Sequence, residues 1–259
     1  MKKALIFLCA LSLTAFAIPA SANSPAYIAV GWDGDQVYFL DNGLNKLSSF
    51  TAGAIDPDGV TSDGKYIYSG HFTTSEVIAY DLSGTKQFSW GAPALSGLQG
   101  MTMVGSELAI FVRTGLLTGS IDFYNPLSGA YIRSISNQNI TGSIEGLAYD
   151  GTLIWAIGDE LLSIDPISGS TVNTINNAAW INQDPFGGTG IAIGGIDELI
   201  LVSPNGNWYR VSKTDGSILA SGKNGIDMYD LAAIPAPEPA TILSLCIGLI
   251  GLAGFRKRS

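Results

Sequence analysis

The stretch GVTSDGKYIYSG, residues 59–70, decides how this chain is read, because altered copies of it follow. GMTMVGSELAIF starts at Gly100, GLAYDGTLIWAI at Gly146 and GIAIGGIDELIL at Gly190. Each copy opens with glycine, an apolar residue, then Thr or Ala. A second glycine stands five positions later, at Gly64, Gly105, Gly151 and Gly195. The openings are 41, 46 and 44 residues apart. A fixed period of this size marks a repeat architecture.

Each copy reads as a structural unit. The opening is a short strand with small side chains, suited to a crowded axis. The second glycine supplies the positive φ of a tight hairpin turn. A β-branched and aromatic strand follows: YIYSG, LAIFV, LIWAI and LILVS. A third strand (VIAYDL, IDFYNP, LLSIDP, WYRVS) ends in turns carrying Gly84, Gly129, Gly169 and Gly216. A more polar fourth strand closes each unit: TKQFSW, AYIRSIS, STVNTI and SILASG. Four short strands in roughly 40 to 50 residues have the size of a β-propeller blade.

The ends complete the pattern. Residues 27–50 match strands two to four of a unit and lack a first strand. The Asp230-Leu231-Ala232 segment matches a first strand alone, 40 residues after Gly190. The expected fold is therefore an all-β propeller of five four-stranded blades, one blade shared by the two ends. Such closure removes unpaired edges. The alternatives are a β-sandwich or an open array of hairpins.

The repeats span one domain, residues 23–234. Residues 1–22 carry the three parts of a secretory signal: Lys2 and Lys3, an apolar run, and Ala20-Ser21-Ala22 as the cleavage site, with the cut after Ala22. Between residues 23 and 236 there are 21 acidic and 8 basic residues, a net charge of −13. That surface repels phosphate backbones and excludes nucleic acid as a partner. The two cysteines, Cys9 and Cys246, both lie outside the repeats, so the domain holds no internal disulfide and no thiolate metal site.

Enzyme signatures are sparse. His71 is the single histidine, no G-x-S-x-G elbow accompanies it, and one His without Cys is too little for zinc. Asp33/Asp35, Asp56/Asp58 and Glu160/Asp165 pair carboxylates beside Gly or Pro, which turn chemistry explains. The DPDG run at Asp56 has the start of a calcium loop without its later ligands. No catalytic residue, metal or cofactor is expected. In a four-stranded blade the second-to-third loop and the blade-to-blade loop open on one face. That reading collects Trp32, His71, Trp90, Arg113, Trp180 and Trp208 there, with Asn182, Asp184, Asn205 and Asn207 as hydrogen-bonding groups. It offers a binding face for an extended or sugar-like ligand. The competing reading is that the aromatic rings fill gaps between blades.

The end of the chain, residues 235–259, differs from the rest. Pro237-Glu238-Pro239 precede an apolar stretch, residues 240–255, which reads as a membrane helix with Gly248, Gly251 and Gly254 spaced for close helix approach. Arg256, Lys257 and Arg258 follow and hold the C-terminus in the cytoplasm. These three parts, in this order, resemble the PEP-CTERM sorting signal of Gram-negative bacteria. The resemblance implies transient recognition by a membrane-embedded exosortase and cleavage near Pro237–Pro239. It further implies anchoring in the inner membrane beforehand, then passage to the cell envelope or outside. It also implies company with extracellular polysaccharide and biofilm matrix. The alternative, on the apolar stretch alone, is a permanent membrane anchor. The repeats resemble YVTN or quinoprotein-like propeller units, best at IDPISG from Ile164, and no residue is assigned to a quinone. Together these features predict an exported, non-enzymatic surface or matrix protein that binds polysaccharide or envelope proteins. A propeller-fold lyase, hydrolase or quinoprotein-like enzyme of the envelope is the alternative.

Overall fold

The structure is a computed structural model that describes residues 24–31, 35–53, 56–91, 97–113, 115, 119–136, 144–176 and 188–235. The signal sequence with Ala20 and Ala22, and the tail from residue 236, lie outside the described residues.

The described residues form twenty strands in five four-stranded antiparallel sheets. The first sheet has the order β20-β1-β2-β3: β20 (Asp230–Ala233), β1 (Tyr27–Gly31), β2 (Gln36–Leu40) and β3 (Lys46–Thr51). The second holds β4 (Pro57–Ser62), β5 (Tyr66–His71), β6 (Glu76–Asp81) and β7 (Lys86–Gly91). The third holds β8 (Leu98–Val104), β9 (Glu107–Arg113), β10 (Gly119–Tyr124) and β11 (Tyr131–Ile135). The fourth holds β12 (Gly146–Tyr149), β13 (Ile154–Ile157), β14 (Leu161–Ile164) and β15 (Thr171–Ile175). The fifth holds β16 (Gly190–Gly195), β17 (Glu198–Val202), β18 (Asn207–Ser212) and β19 (Ile218–Lys223).

The fold is a five-bladed β-propeller. The first sheet contains both chain ends: Tyr27 pairs with Ala233, Ile28 with Ala232 and Ala29 with Leu231. The first strands of the blades touch in a ring, β4 on β8, β8 on β12, β12 on β16, β16 on β20 and β20 on β4. The core has one apolar cluster in each gap between blades, five in all. Ile28, Val30 and Val37 of the first blade, for example, meet Val60, Ile67 and Ile78 of the second. Every gap being filled is what makes the wheel closed, since no blade face is left to water.

The repeating glycines have a steric cause. A Cβ on Gly100 would collide with the Gly146 Cα and come within 2.7 Å of the Glu145 carbonyl oxygen. A Cβ on Gly59 meets the Gln99 carbonyl, one on Gly146 the Thr189 carbonyl, and one on Gly190 the Asp230 backbone. The strands at the axis therefore approach backbone to backbone. In the shared blade the equivalent position is Asp230, fully buried. Its Oδ2 accepts from the Val60 N–H (2.9 Å) and its Oδ1 from the Leu231 N–H (2.9 Å). That carboxyl joins the closing strand to the neighbouring blade where the other units rely on bare contact.

The outer turns repeat as well. At the third-to-fourth turns of four blades an Asp or Asn accepts two following backbone N–H groups, as Asp165 does from Ile167 (3.0 Å) and Ser168 (2.7 Å), and in the fifth Ser212 accepts from Thr214 (3.1 Å). One expected turn differs. Gly64, Gly105 and Gly151 have positive φ, but Gly195 does not. It stays in β16, where the ladder bulges between Ile193 and Gly195, and the turn falls on Ile196 and Asp197. The bulge consumes the extra residue that the GG pair supplies.

Candidate functional site: the polar mouth of the channel

The residue just before each axial glycine is polar or aromatic. Asp58, Gln99 and Glu145 precede Gly59, Gly100 and Gly146; Thr189 precedes Gly190, and Tyr229 precedes Asp230. The five first strands are equivalent, so these residues stand around one end of the central channel, one from each blade. The Tyr229 hydroxyl donates to Glu145 Oε2 at 3.2 Å. Those residues belong to the first and fourth blades, which are not neighbours in the ring, so the bond spans the mouth.

The ring is largely withdrawn from water. Asp58, Gln99 and Thr189 are buried, while Glu145 and Tyr229 are half-buried. Thr189 is occupied within the fold, its hydroxyl facing the carbonyls of Val202 and Met228 at 3.4 Å each. Asp58 is not so served. Burial, then the nearby charges of Glu145 and Asp56, push its carboxyl up to about 7. Burial, then Glu145 and Asp58, also raise the Tyr229 phenol well above its ordinary range. Asp230, one layer deeper, is raised by its complete burial against the pull of its backbone donors. A desolvated acid beside like charges is the environment that keeps a carboxyl protonated near neutrality.

The other end of the channel is different in kind. Two positions after the axial glycines come Thr61, Thr102, Ala148, Ala192 and Ala232. With Met103, Leu147, Ile191 and Ile193 they line a cavity of about 220 Å³ whose rim includes Pro235. Ile234 donates its N–H to the Ala26 carbonyl (2.9 Å), so both ends of the described domain lie here. Pro235, the last described residue, thus stands at the end opposite the polar mouth.

The residues expected to form a binding face fall into separate places. Trp32, Trp180, Asn182 and Asp184 lie outside the described residues. His71 is not in a loop but is the last residue of β5, paired with Pro57 and Glu76, and is fully buried. Arg113 likewise ends β9 and its Nε donates to the Gly115 carbonyl (3.0 Å). It is close enough to Tyr229 to act on that phenol, so it belongs to the mouth. Trp90 lies on the outermost strand β7. Its indole covers Gly129 of the next blade, its Nε1 donates to the Pro126 carbonyl (2.9 Å), and its ring stands 5.6 Å from that of Tyr124. Phe50 on Gly84 and Ile135 on Gly169 occupy the same place in other blades. Trp90 therefore fills an interblade gap. Trp208, half-buried, packs toward the first blade and covers Gly222. Asn205 and Asn207 flank Gly206 in the β17–β18 turn, where the Ser203 N–H donates to the Asn207 carbonyl (3.1 Å). Trp90→Ala should lower stability by about 3 kcal/mol, as truncation of a packed indole does. A thermal melt would show it, with no accompanying change in ligand binding.

Asp58 was expected in a turn and is instead in β4, with Pro57 as the first strand residue. Asp56 does keep a turn role: its φ is +57° and its Oδ2 accepts from the Thr73 hydroxyl (2.6 Å). Gln99, Glu145 and Tyr229 were not singled out by type or motif. The signal that could have found them is positional, a polar column immediately before the repeated glycine. Among the described residues, no group of three or more His, Cys, Asp and Glu side chains is placed to hold a metal ion. None of the described residues forms a helix long and apolar enough to cross a membrane.

Closed ring and polar mouth together define a five-bladed β-propeller with chemically distinct channel ends. Residues 235–258 match the PEP-CTERM protein-sorting motif. That motif is the recognition signal for an exosortase and implies export, with a transient membrane anchor before processing. No curated protein matches the chain. Among solved structures, a glutaminyl cyclase of Myxococcus xanthus is similar at 17% identity and a TM-score of 0.57, over 68% of this chain and 80% of that one. A chain of a nidogen/laminin complex is similar at 11% identity and 0.57, over 80% and 84%. BamB of Moraxella catarrhalis aligns at 17% identity and a TM-score of 0.42, over 79% and 65%. At such identities the likeness is one of fold.

Proposed function

We propose that this protein is a non-enzymatic surface or matrix propeller. Its N-terminal signal exports it, an exosortase processes its tail near Pro237–Pro239, and it binds extracellular polysaccharide through the mouth end. One observation carries the reading: Pro235, where the described domain ends and the sorting motif begins, and the polar mouth lie at opposite ends of the channel. A wheel held by its tail presents the mouth outward, toward matrix rather than membrane. The net charge of −13 over residues 23–236 turns away anionic partners and favours neutral or cationic ones. The fold does not choose between roles, since its structural neighbours include both a cyclase and a chain of a nidogen/laminin complex.

Residues 24–235 contain the whole ring, because Tyr27 and Ala233 close it, and are the natural material for a test. A glycan screen on this domain should yield binding that is lost when mouth residues are changed and kept when Trp90 is changed. Binding confined to envelope proteins, with no glycan retained, would move the reading to a protein-docking wheel. A second reading is catalytic, and the convergence of Asp58, Glu145 and Tyr229 from three blades favours it. Polysaccharide fragments released over time by the domain, and not by Glu145→Gln, would establish that alternative.

A further inference from the structure

We propose that the mouth receives the protonated primary amine of an amino sugar, held between Asp58, Gln99 and Glu145. This rests on the glycan-binding reading above and names the sugar class.

One atom at the mouth is a sealed orphan, and a carboxyl beside it has no hydrogen bond within the described fold. Gln99 is 4% exposed, and its Oε1 is sealed from solvent with no donor facing it. Asp58 is 8% exposed, and the neighbours that act on its carboxyl are like charges, not donors. Buried polar groups in folded proteins are nearly always hydrogen-bonded, and an orphan calls for an explanation such as a missing ligand. The orphaned Gln99 and the Asp58 carboxyl occupy equivalent positions on touching strands, β8 and β4. Glu145 holds the equivalent position immediately before β12, which touches β8. The three therefore follow one another around the rim.

The chemistry of the set selects the ligand. Once Asp58 has lost its proton, above about pH 7, both carboxylates only accept, and the orphaned atom of Gln99 also accepts. The Tyr229 hydroxyl already donates its hydrogen bond to Glu145. Arg113 brings one positive charge to the Tyr229 side of the mouth, while the arc from Asp58 through Gln99 to Glu145 offers acceptors and negative charge. An ammonium group supplies three N–H donors and one positive charge. It would satisfy Gln99 Oε1 and the Asp58 carboxylate while cancelling the repulsion between Asp58 and Glu145. The Gln99 amide also carries N–H donors. An amine on a sugar ring is flanked by hydroxyl groups that accept from them, whereas the tip of a lysine side chain offers nothing further. An acetylated amine brings a single donor, no charge and more bulk.

The test is calorimetric titration of residues 24–235 with glucosamine disaccharide and tetrasaccharide. N-acetylglucosamine and glucose oligomers of the same lengths, and a lysine tripeptide, serve as comparisons. The expected result is at least tenfold tighter binding of the glucosamine forms. Asp58→Asn and Gln99→Ala should each weaken that binding tenfold or more, with the melting transition of both variants retained. Asp215→Asn removes an equal charge from an exposed turn and should leave binding unchanged. Equal loss in Asp58→Asn and Asp215→Asn would mean unspecific charge attraction and overturn the inference. Equal affinity for acetylated, neutral and free-amine oligomers would overturn it too, with the glycan reading intact. Binding of the lysine peptide alone, or of no glycan, would overturn both.

Discussion

Gly100→Ala is expected to lower the melting temperature of the domain by roughly 6–12 °C, from a loss of about 3 kcal/mol. The added methyl group would have nowhere to go. Its nearest neighbours are the Gly146 Cα and the Glu145 carbonyl, both backbone atoms of the next blade, and no flexible side chain can yield. Strands β8 and β12 would have to separate, opening the apolar cluster that joins Phe111 and Phe123 to Leu147 and Ile154. Overpacking of this kind costs about 1–3 kcal/mol when a core relaxes, and more when backbones collide. The total stability of a domain is only about 5–15 kcal/mol, so the change is a large fraction of it. Gly105→Ala separates the steric cause from the conformational one. Gly105 has φ +61° and nothing within 4 Å of its added Cβ. It should lose only the cost of a left-handed alanine, about 1–2 kcal/mol. Thermal melts of the two variants check the argument, and a Gly100→Ala protein as stable as Gly105→Ala would refute close approach at the axis.

That collision also explains why the architecture was legible. Glycine at the axis is demanded by geometry in every unit, so it survives as a periodic mark even where the outer strands diverge. The closure was legible for a related reason: a segment with the opening pattern but no following strands, Asp230 to Ala232, could be paired only with a blade that lacked an opening. The mouth was hidden by local chemistry. Asp56-Pro57-Asp58-Gly59 carries every mark of a turn. The turn stops at Asp56, because a proline is tolerated as the first residue of a strand and Asp58 is then drawn into β4. Gln99 and Tyr229 carry no motif and gain meaning only when five strands are set side by side. His71 and Arg113 were placed in loops because the apolar runs before them end early. Strand pairing continues past the apolar residues, to Glu76 for His71 and to Gly119 for Arg113.

Asp58→Asn should stabilise the domain at pH 8 by about 2–4 kcal/mol and leave it unchanged at pH 4, while weakening ligand binding tenfold or more. The sign follows from proton counting. The Asp58 carboxyl is raised to about 7 in the folded protein, by burial first and by Glu145 and Asp56 after it. An aspartate in the unfolded chain titrates near 3.9. Between these values the folded state holds a proton that the unfolded state has lost, so stability falls as pH rises from about 4 to about 7 and is level above. Asp230, raised by its burial, acts in the same direction. Asp150 acts oppositely. Burial alone would raise it, but donors from Leu153, Trp155 and Lys213 bring it down to about 2, so its contribution is lost only as pH falls through that acid range. The wild-type domain should therefore be most stable in mild acid, near pH 4–5, where Asp58 is protonated and Asp150 is not. Asparagine copies the neutral carboxyl in size and cannot ionise, so it removes the cost of charging Asp58 without disturbing β4. Denaturant titrations of wild type and variant across this pH range measure the difference directly. A side chain kept solely for the fold would not be expected to improve stability on replacement. The gain at pH 8, coupled to lost binding, is the mark of a group held at the channel mouth for what it binds.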